Sequence, residues 1–325
     1  MKKQIALLLA FVLLAAVFSG CRGNKAGNAL TFTLSQDGSY YEAKAIRDNN
    51  LETQSITVPA TYEGKPVALA SQAFYGLPKL QTVTVEGAVG TIPNQVFANC
   101  PMLETVVLKG DAAVDSGCFR ECNSLKSITF GDGIYAIGAQ CVAYCPELQT
   151  VVIGNDCKSI GTRAFQNCEK LESVTLGTAL ESIGAYAFEN TKSLKSIVFP
   201  TEKPLHLGEY AFSYSGLEEI HLPANVVMEQ YVFNHLAWNE AGGYSRCKAV
   251  YFYAIEPTVE NLGINAIGYT WDRNTEDDPE LGAFLVYVPE EAEDAYVELI
   301  EKECDESWAR CVLNQDKLAT FVPEN

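Results

Sequence analysis

Large apolar residues return along this chain at a nearly constant interval. Phe74, Phe97, Phe119, Val142, Phe165, Phe188, Phe212 and Phe233 lie 21 to 24 residues apart. Each anchor carries the same apolar offsets. Five residues before it stand Leu69, Ile92, Val114, Ile137, Ile160, Ile183, Leu207 and Met228. Immediately before it stand Ala73, Val96, Cys118, Cys141, Ala164, Ala187, Ala211 and Val232, none larger than valine. Six residues after it comes leucine, at Leu80, Leu103, Leu125, Leu148, Leu171 and Leu194, with Leu217 one residue early. An alternating pair follows, from Val83/Val85 and Val106/Leu108 to Ile197/Phe199 and Ile220/Leu222, and an eighth set at Cys247, Val250 and Phe252.

Alternation of this kind predicts a short strand with one face inward. One repeat cannot bury its own apolar face, so neighbours must stack, and the period predicts a solenoid. At the usual strand spacing of about 4.8 Å, eight or nine rungs make a parallel sheet about 40 Å long. Gly138, Gly161, Gly184 and Gly208 follow the apolar residue five before the anchor and are expected to mark tight bends with unusual backbone angles.

The ends of a solenoid need caps. Leu30 to Leu34 alternates, Asp37-Gly38 supplies a turn and Tyr40 to Ile46 returns, which predicts a capping hairpin over 30–58. The repeats then occupy 59–253. Segment 254–325 breaks the pattern, with a strand at 285–289 and a helix over 290–303 as the second cap.

Segments such as AFQNCEKLESVTLGTALESIG (164–184) and CFRECNSLKSITFGDGIYAIG (118–138) closely resemble the BspA-like leucine-rich-repeat family, over residues 55–253. The resemblance implies a leucine-rich-repeat solenoid, α/β or mainly β, of short parallel strands. It also implies a secreted or surface-attached protein, and in several members of the family a part in adhesion.

Composition adds location and removes chemistry. The chain has 325 residues and a formal net charge of −18. An acidic protein is a poor match for a phosphate backbone, so no nucleic-acid partner is expected. Lys2 and Lys3 followed by an apolar run from Ile5 to Phe18 read as a signal peptide over 1–20. Phe18-Ser19-Gly20-Cys21 resembles a bacterial lipobox, which would make Cys21 the lipidated mature N-terminus and 21–29 a tether. The expected location is the cell envelope, membrane-anchored on the extracytoplasmic side.

Eleven cysteines in an exported chain invite a disulfide framework. Their placement argues otherwise. Cys100, Cys122, Cys145 and Cys168 all stand three residues after an anchor, and Cys118 and Cys141 fill the small slot before one. These are core positions, where cysteine acts as a small hydrophobe. A column of this kind does not converge as four zinc ligands must, so neither a metal nor any other cofactor is expected. No nucleophile elbow, zinc-binding helix signature or phosphate-cradling glycine loop occurs, and the chain is read as a non-enzyme.

Two places suit a ligand. Outward strand positions read Thr84, Val107, Thr129, Val152, Thr175 and Val198, then change to His221 and Tyr251. Aromatics also concentrate near the C-terminal end, including Tyr253, Trp238 and Trp271, and residues 234–246 lengthen the last repeat. His221, Thr129, Val152, Trp238, Tyr251, Tyr253 and Trp271 are therefore the candidate ligand-binding residues. The expected partner is a protein, with a glycan stacked on Trp238, Tyr251 and Trp271, or a purely structural envelope role, as alternatives.

Overall fold

A computed structural model describes residues 30–45, 52–200, 203–234, 236, 247–258, 285–303 and 318–321. The repeats form a stack of parallel rungs in which most turns of chain contribute to two sheets, not one. The front sheet carries the alternating pairs. Its strands Ser55–Val58, Thr82–Val85, Thr105–Leu108, Ser127–Phe130, Thr150–Ile153 and Ser173–Thr175 lie side by side in that order. All pairs are parallel and shifted by one whole repeat, as in Ile128↔Val106 and Ile128↔Val151. The first of these strands falls inside the segment 30–58 assigned above to the cap.

The second sheet is what the periodicity did not predict. The apolar residues five before the anchors from Phe97 to Phe233 sit on their own seven-stranded parallel sheet, from Gly90–Ile92 through Ser159–Ile160 to Val226–Met228, whereas Leu69 lies on the N-terminal sheet. Several of its strands are only two or three residues long, with one or two inward side chains. Such a strand leaves too little alternation to be read.

The remaining arm of each rung is a turn, and no helix lies among the described residues of the repeats. The architecture is thus mainly β. Left-handed backbone recurs two residues before and two after the anchors, as at Arg163 (φ 58°) and Asn167 (φ 60°) around Phe165. Between these positions the anchor rings point inward and stack. Phe74–Phe97, Phe97–Phe119, Phe165–Phe188, Phe188–Phe212 and Phe212–Phe233 are parallel pairs with centroids 4.9 to 5.5 Å apart. Val142 interrupts the column. Phe130 compensates by turning its edge against Phe165 at 6.3 Å.

Gly138, Gly161, Gly184 and Gly208 are not the tight bends predicted, because none has a positive φ. Their role is close approach. A Cβ at Gly161 would lie 2.6 Å from the carbonyl carbon of Gly138 and one at Gly208 would lie 2.6 Å from the amide nitrogen of Ala185. Each rung crosses the one before it too tightly for any side chain there.

At the N-terminal end, Leu30–Leu34 and Tyr41–Ala45 form an antiparallel hairpin, and the second strand pairs in parallel with Lys65–Leu69. Asp37 closes the turn. Its carboxylate accepts hydrogen bonds from the Ser35 hydroxyl and from the Ser39 amide and hydroxyl, which lower its pKa to about 2. At the other end, Glu219–Leu222, Ala249–Phe252, Leu285–Pro289 and Leu318–Phe321 make a separate four-stranded parallel sheet. Helix Glu293–Glu303 follows its third strand and buries Tyr296 and Ile300.

Candidate functional site

The outward residue in the middle of each front strand is held in register with its neighbours. Thr57, Thr84, Val107, Thr129, Val152 and Thr175 therefore form one column. Thr129 and Val152 are direct partners in it, with Thr129 half-buried and Val152 exposed. On the C-terminal sheet the same pairing aligns His221, Tyr251 and Tyr287.

There the column becomes aromatic. The His221 and Tyr251 rings stack at 4.3 Å with an interplanar angle of 3°. Tyr251 and Tyr287 stack at 4.5 Å and 7°. Tyr253 leans in from the end of its strand, its hydroxyl 3.0 Å from His221 Nδ1. The structure thus brings three predicted residues, His221, Tyr251 and Tyr253, into one cluster and adds Tyr287. Thr129 and Val152 stand apart from it, on the front sheet. Trp238, Trp271 and Cys21 lie outside the described residues.

Local strand preference explains why these rings stand where they do. Aromatic residues suit a half-exposed pleated surface, and cross-strand pairs stabilise it. Partial burial, then the neighbouring phenol of Tyr287 and carboxylate of Glu219, raise the Tyr251 pKa above its ordinary value, so the hydroxyl stays protonated at neutral pH. Below the ladder, Glu218 lies 3.5 Å from Lys195 and 2.9 Å from Lys248 across three successive rungs. These ammonium groups hold the carboxylate below its usual range.

A second aromatic ladder was missed. Tyr186, Tyr210 and Tyr231 stack at 5.1 Å each on the turn edge, with the Arg163 guanidinium 4.8 Å over Tyr186. All four stand two residues before an anchor, so their shared offset was a legible signal.

The cysteines do more than fill space. Cys100, Cys122, Cys145 and Cys168 each place Sγ 3.2 to 3.3 Å from the carbonyl oxygen of the preceding rung's anchor, at Phe74, Phe97, Phe119 and Val142. Their S–H groups satisfy carbonyls that no backbone N–H among the described residues reaches. All eight described cysteines are buried, and Cys118, Cys122, Cys141, Cys145, Cys157 and Cys168 are free thiols. Desolvation pushes Cys118 and Cys168 up to about 12 and raises Cys141 and Cys145 well above the ordinary value. The thiolate form that attacks or binds metal is thereby suppressed. Among the described residues no group of three His, Cys, Asp or Glu converges as a metal site.

A profile of the BspA type leucine-rich-repeat region matches residues 44–149 and 135–256, in six copies. This chain belongs to the BspA-type leucine-rich-repeat family. A leucine-rich-repeat protein of T. pallidum is similar in structure, at 24% identity over 59% of this chain and 89% of that one, with a TM-score of 0.51. A leucine-rich-repeat protein of Bacteroides ovatus is 18% identical over 92% of this chain and 77% of that one, with a TM-score of 0.49. No curated protein matches the chain. BspA-type proteins are generally surface or extracellular and typically non-catalytic. No helix among the described residues is long and apolar enough to cross a membrane.

Proposed function

We propose that the protein is held on the outer side of a membrane by a lipid on Cys21 and binds another protein through the outward face of its sheets, without catalysis. His221, Tyr251, Tyr253 and Tyr287 are its anchor residues. The observation that carries this reading is the change of the outward column from small β-branched residues to a half-exposed aromatic cluster. A flat face of threonine and valine lets a partner approach along its length, and rigid aromatics concentrate binding energy at one end.

The stacking itself favours a protein over a glycan. A sugar binds an aromatic residue by lying on an open ring face. Both faces of Tyr251 are covered, by His221 at 4.3 Å and Tyr287 at 4.5 Å. What the ladder offers outward is ring edges and hydroxyl groups, which suit backbone carbonyls and apolar side chains.

Arrays of matrix proteins and glycans test the reading. Protein binding by the wild type is expected to fall at least tenfold in His221→Ala/Tyr251→Ala and in Thr129→Trp, which places bulk on the flat face. Glycan binding abolished by Trp238→Ala/Trp271→Ala, with no protein signal, would establish the glycan reading in its place. The anchor is tested by metabolic palmitate labelling. Label is expected on the wild type and not on Cys21→Ala, and equal labelling of both removes the anchor from the proposal.

A further inference from the structure

The aromatic ladder ends on an open ring face. Tyr251 is covered on both sides, but His221 is covered on one only. Tyr251 stacks on it at 4.3 Å, and Tyr253 leans against it from the same following rung, with ring centroids 6.0 Å apart. Among the described residues no ring or cation lies on the other face, which looks toward the rung before.

The rung before offers Val198 at this place in the outward column. The two rungs are neighbours, since the Glu218 amide donates to the Lys195 carbonyl at 3.0 Å. Residues 196–199 join no sheet, and Val198 is 83% exposed, the most open of the large apolar residues described. A valine so exposed covers almost nothing. Its methyl groups also end nearer the backbone than an imidazole does. The outward column therefore rises in a step, from short Thr175 and Val198 to tall His221, and the wall of the step is the bare face of the imidazole.

A carboxylate stands beside this wall. Glu219 and His221 alternate with buried Ile220 and Leu222, so both point outward, about 7 Å apart along the strand. Glu218 is engaged by Lys195 at 3.5 Å and Lys248 at 2.9 Å. Glu219 is exposed and forms no ion pair among the described residues.

The molecule itself shows twice what suits such a face. Arg163 holds its guanidinium 4.8 Å over the Tyr186 ring, and Arg120 holds its own 5.4 Å over Tyr144. Each arginine comes from the rung before its tyrosine, which is the side on which His221 is bare. The Tyr186 ladder is thus closed at that end by a guanidinium, and the His221 ladder has none. A guanidinium is flat enough to stack on a ring, and its forked donors match a carboxylate. A sugar would meet the ring and bring no charge to Glu219. A lysine would meet Glu219 and bring no plane to the ring.

We propose that the step is the seat of an arginine side chain from the partner protein, whose guanidinium lies on the open face of His221 and pairs with Glu219 while its methylene stem crosses Val198. The inference rests on reading the aromatic cluster as the anchor for a protein partner, and it names the side chain that the cluster takes.

The chain has three histidines, so isotopic labelling of histidine alone gives separate signals for His206, His221 and His235, assigned by substitution. The full chain in detergent is titrated at pH 8 and constant ionic strength with N-acetyl-arginine amide, N-acetyl-lysine amide, N-acetyl-phenylalanine amide and methyl β-glucoside. Arginine amide is expected to shift the His221 signal saturably, with a dissociation constant below the other three by about threefold or more. Glu219→Gln is expected to weaken it by about threefold or more. Val198→Arg changes an exposed position and supplies the guanidinium from within the chain. Its His221 signal is expected to be shifted without ligand, in the direction that arginine amide shifts the wild type, and to respond no further. An equal dissociation constant for lysine, phenylalanine or glucoside, the lack of a saturable His221 shift, or an unchanged response in Glu219→Gln or Val198→Arg overturns the proposal. Because these probes are not proteins, a partner found on the arrays without an arginine preference here overturns this inference alone. An arginine preference with no partner overturns only the protein reading.

Discussion

Phe188→Ala is expected to destabilise the protein by about 4–8 kcal/mol and to split its denaturant unfolding into two transitions. Phe188 is fully buried, with rings stacked on both sides at 5.1 and 5.2 Å. Truncating a buried phenylalanine costs about 3–5 kcal/mol in transfer and cavity terms, and each lost aromatic pair adds about 0.5–1.5 kcal/mol. In a globular domain such a loss is shared by the whole core. In a stack of rungs it falls on the interfaces of one rung. This rung already lacks its front ladder, so it is held by the second sheet, the phenylalanine column and the turn hydrogen bonds, such as Phe165 donating to Ala187 at 2.8 Å and Phe188 to Ala211 at 2.7 Å. Without Phe188, the rungs on either side should unfold as separate blocks. Phe97→Ala is the comparison, because Phe97 is equally buried and doubly stacked while its front strand is paired on both sides. It is expected to lose similar stability in a single transition. Urea titration followed by circular dichroism distinguishes the two, and one unchanged transition in Phe188→Ala would refute the argument.

Alkaline pH is expected to unfold the protein cooperatively between about pH 9 and 11. Burial raises the pKa of Cys118, Cys122, Cys141, Cys145, Cys157, Cys168 and Cys247 above the ordinary 9.0. A folded-state pKa that is raised means the folded chain keeps a proton the unfolded chain releases. The stability from these thiols is whole below pH 9.0 and is lost as pH climbs toward the folded values, about 11 for Cys157 and about 12 for Cys118. Each thiol contributes a slope of about 1.4 kcal/mol per pH unit, so seven together give on the order of 10 kcal/mol per unit. Few proteins of ordinary stability, about 5–15 kcal/mol, survive more than a unit or two of that. Replacing Cys122, Cys145 and Cys168 with alanine lowers stability at neutral pH and reduces the alkaline slope by about 4 kcal/mol per unit. Stability measured by urea titration under reducing, oxygen-free conditions from pH 8 to 10.5 checks this. A flat profile would mean that the thiols are not the buried, protonated groups seen here.

The periodic part of the molecule was legible because its physical cause is repeated. A phenylalanine in the column, the small residue before it and the leucine after it each recur seven or eight times, so one misread rung hardly matters. His221 and Tyr251 were legible for the same reason, since counting from the anchors places both on the outward column. Tyr287 was not. Residues 254–284 separate it from the last counted rung, and without a count nothing in Leu285 to Pro289 says which neighbour it meets. The second sheet escaped because two-residue strands such as Ser159–Ile160 show no alternation. The glycines were seen and misassigned, because a sequence reports the absence of a side chain without reporting whether backbone angle or a neighbouring rung demands it.

By itself, then, the amino-acid order determined the period, the inward residues, the placement of cysteine in the core and the change of the outward column at His221. These follow from burial, which each residue type obeys wherever the chain takes it. The tertiary structure alone decided that the rungs close around two sheets, that Tyr287 completes the aromatic ladder, and that residues 196–199 join no strand of the front sheet. Those outcomes depend on which backbone groups of one rung reach the next. A segment that resembles its neighbours can still fail to pair when it ends on a residue with no amide hydrogen, as 196–199 does at Pro200.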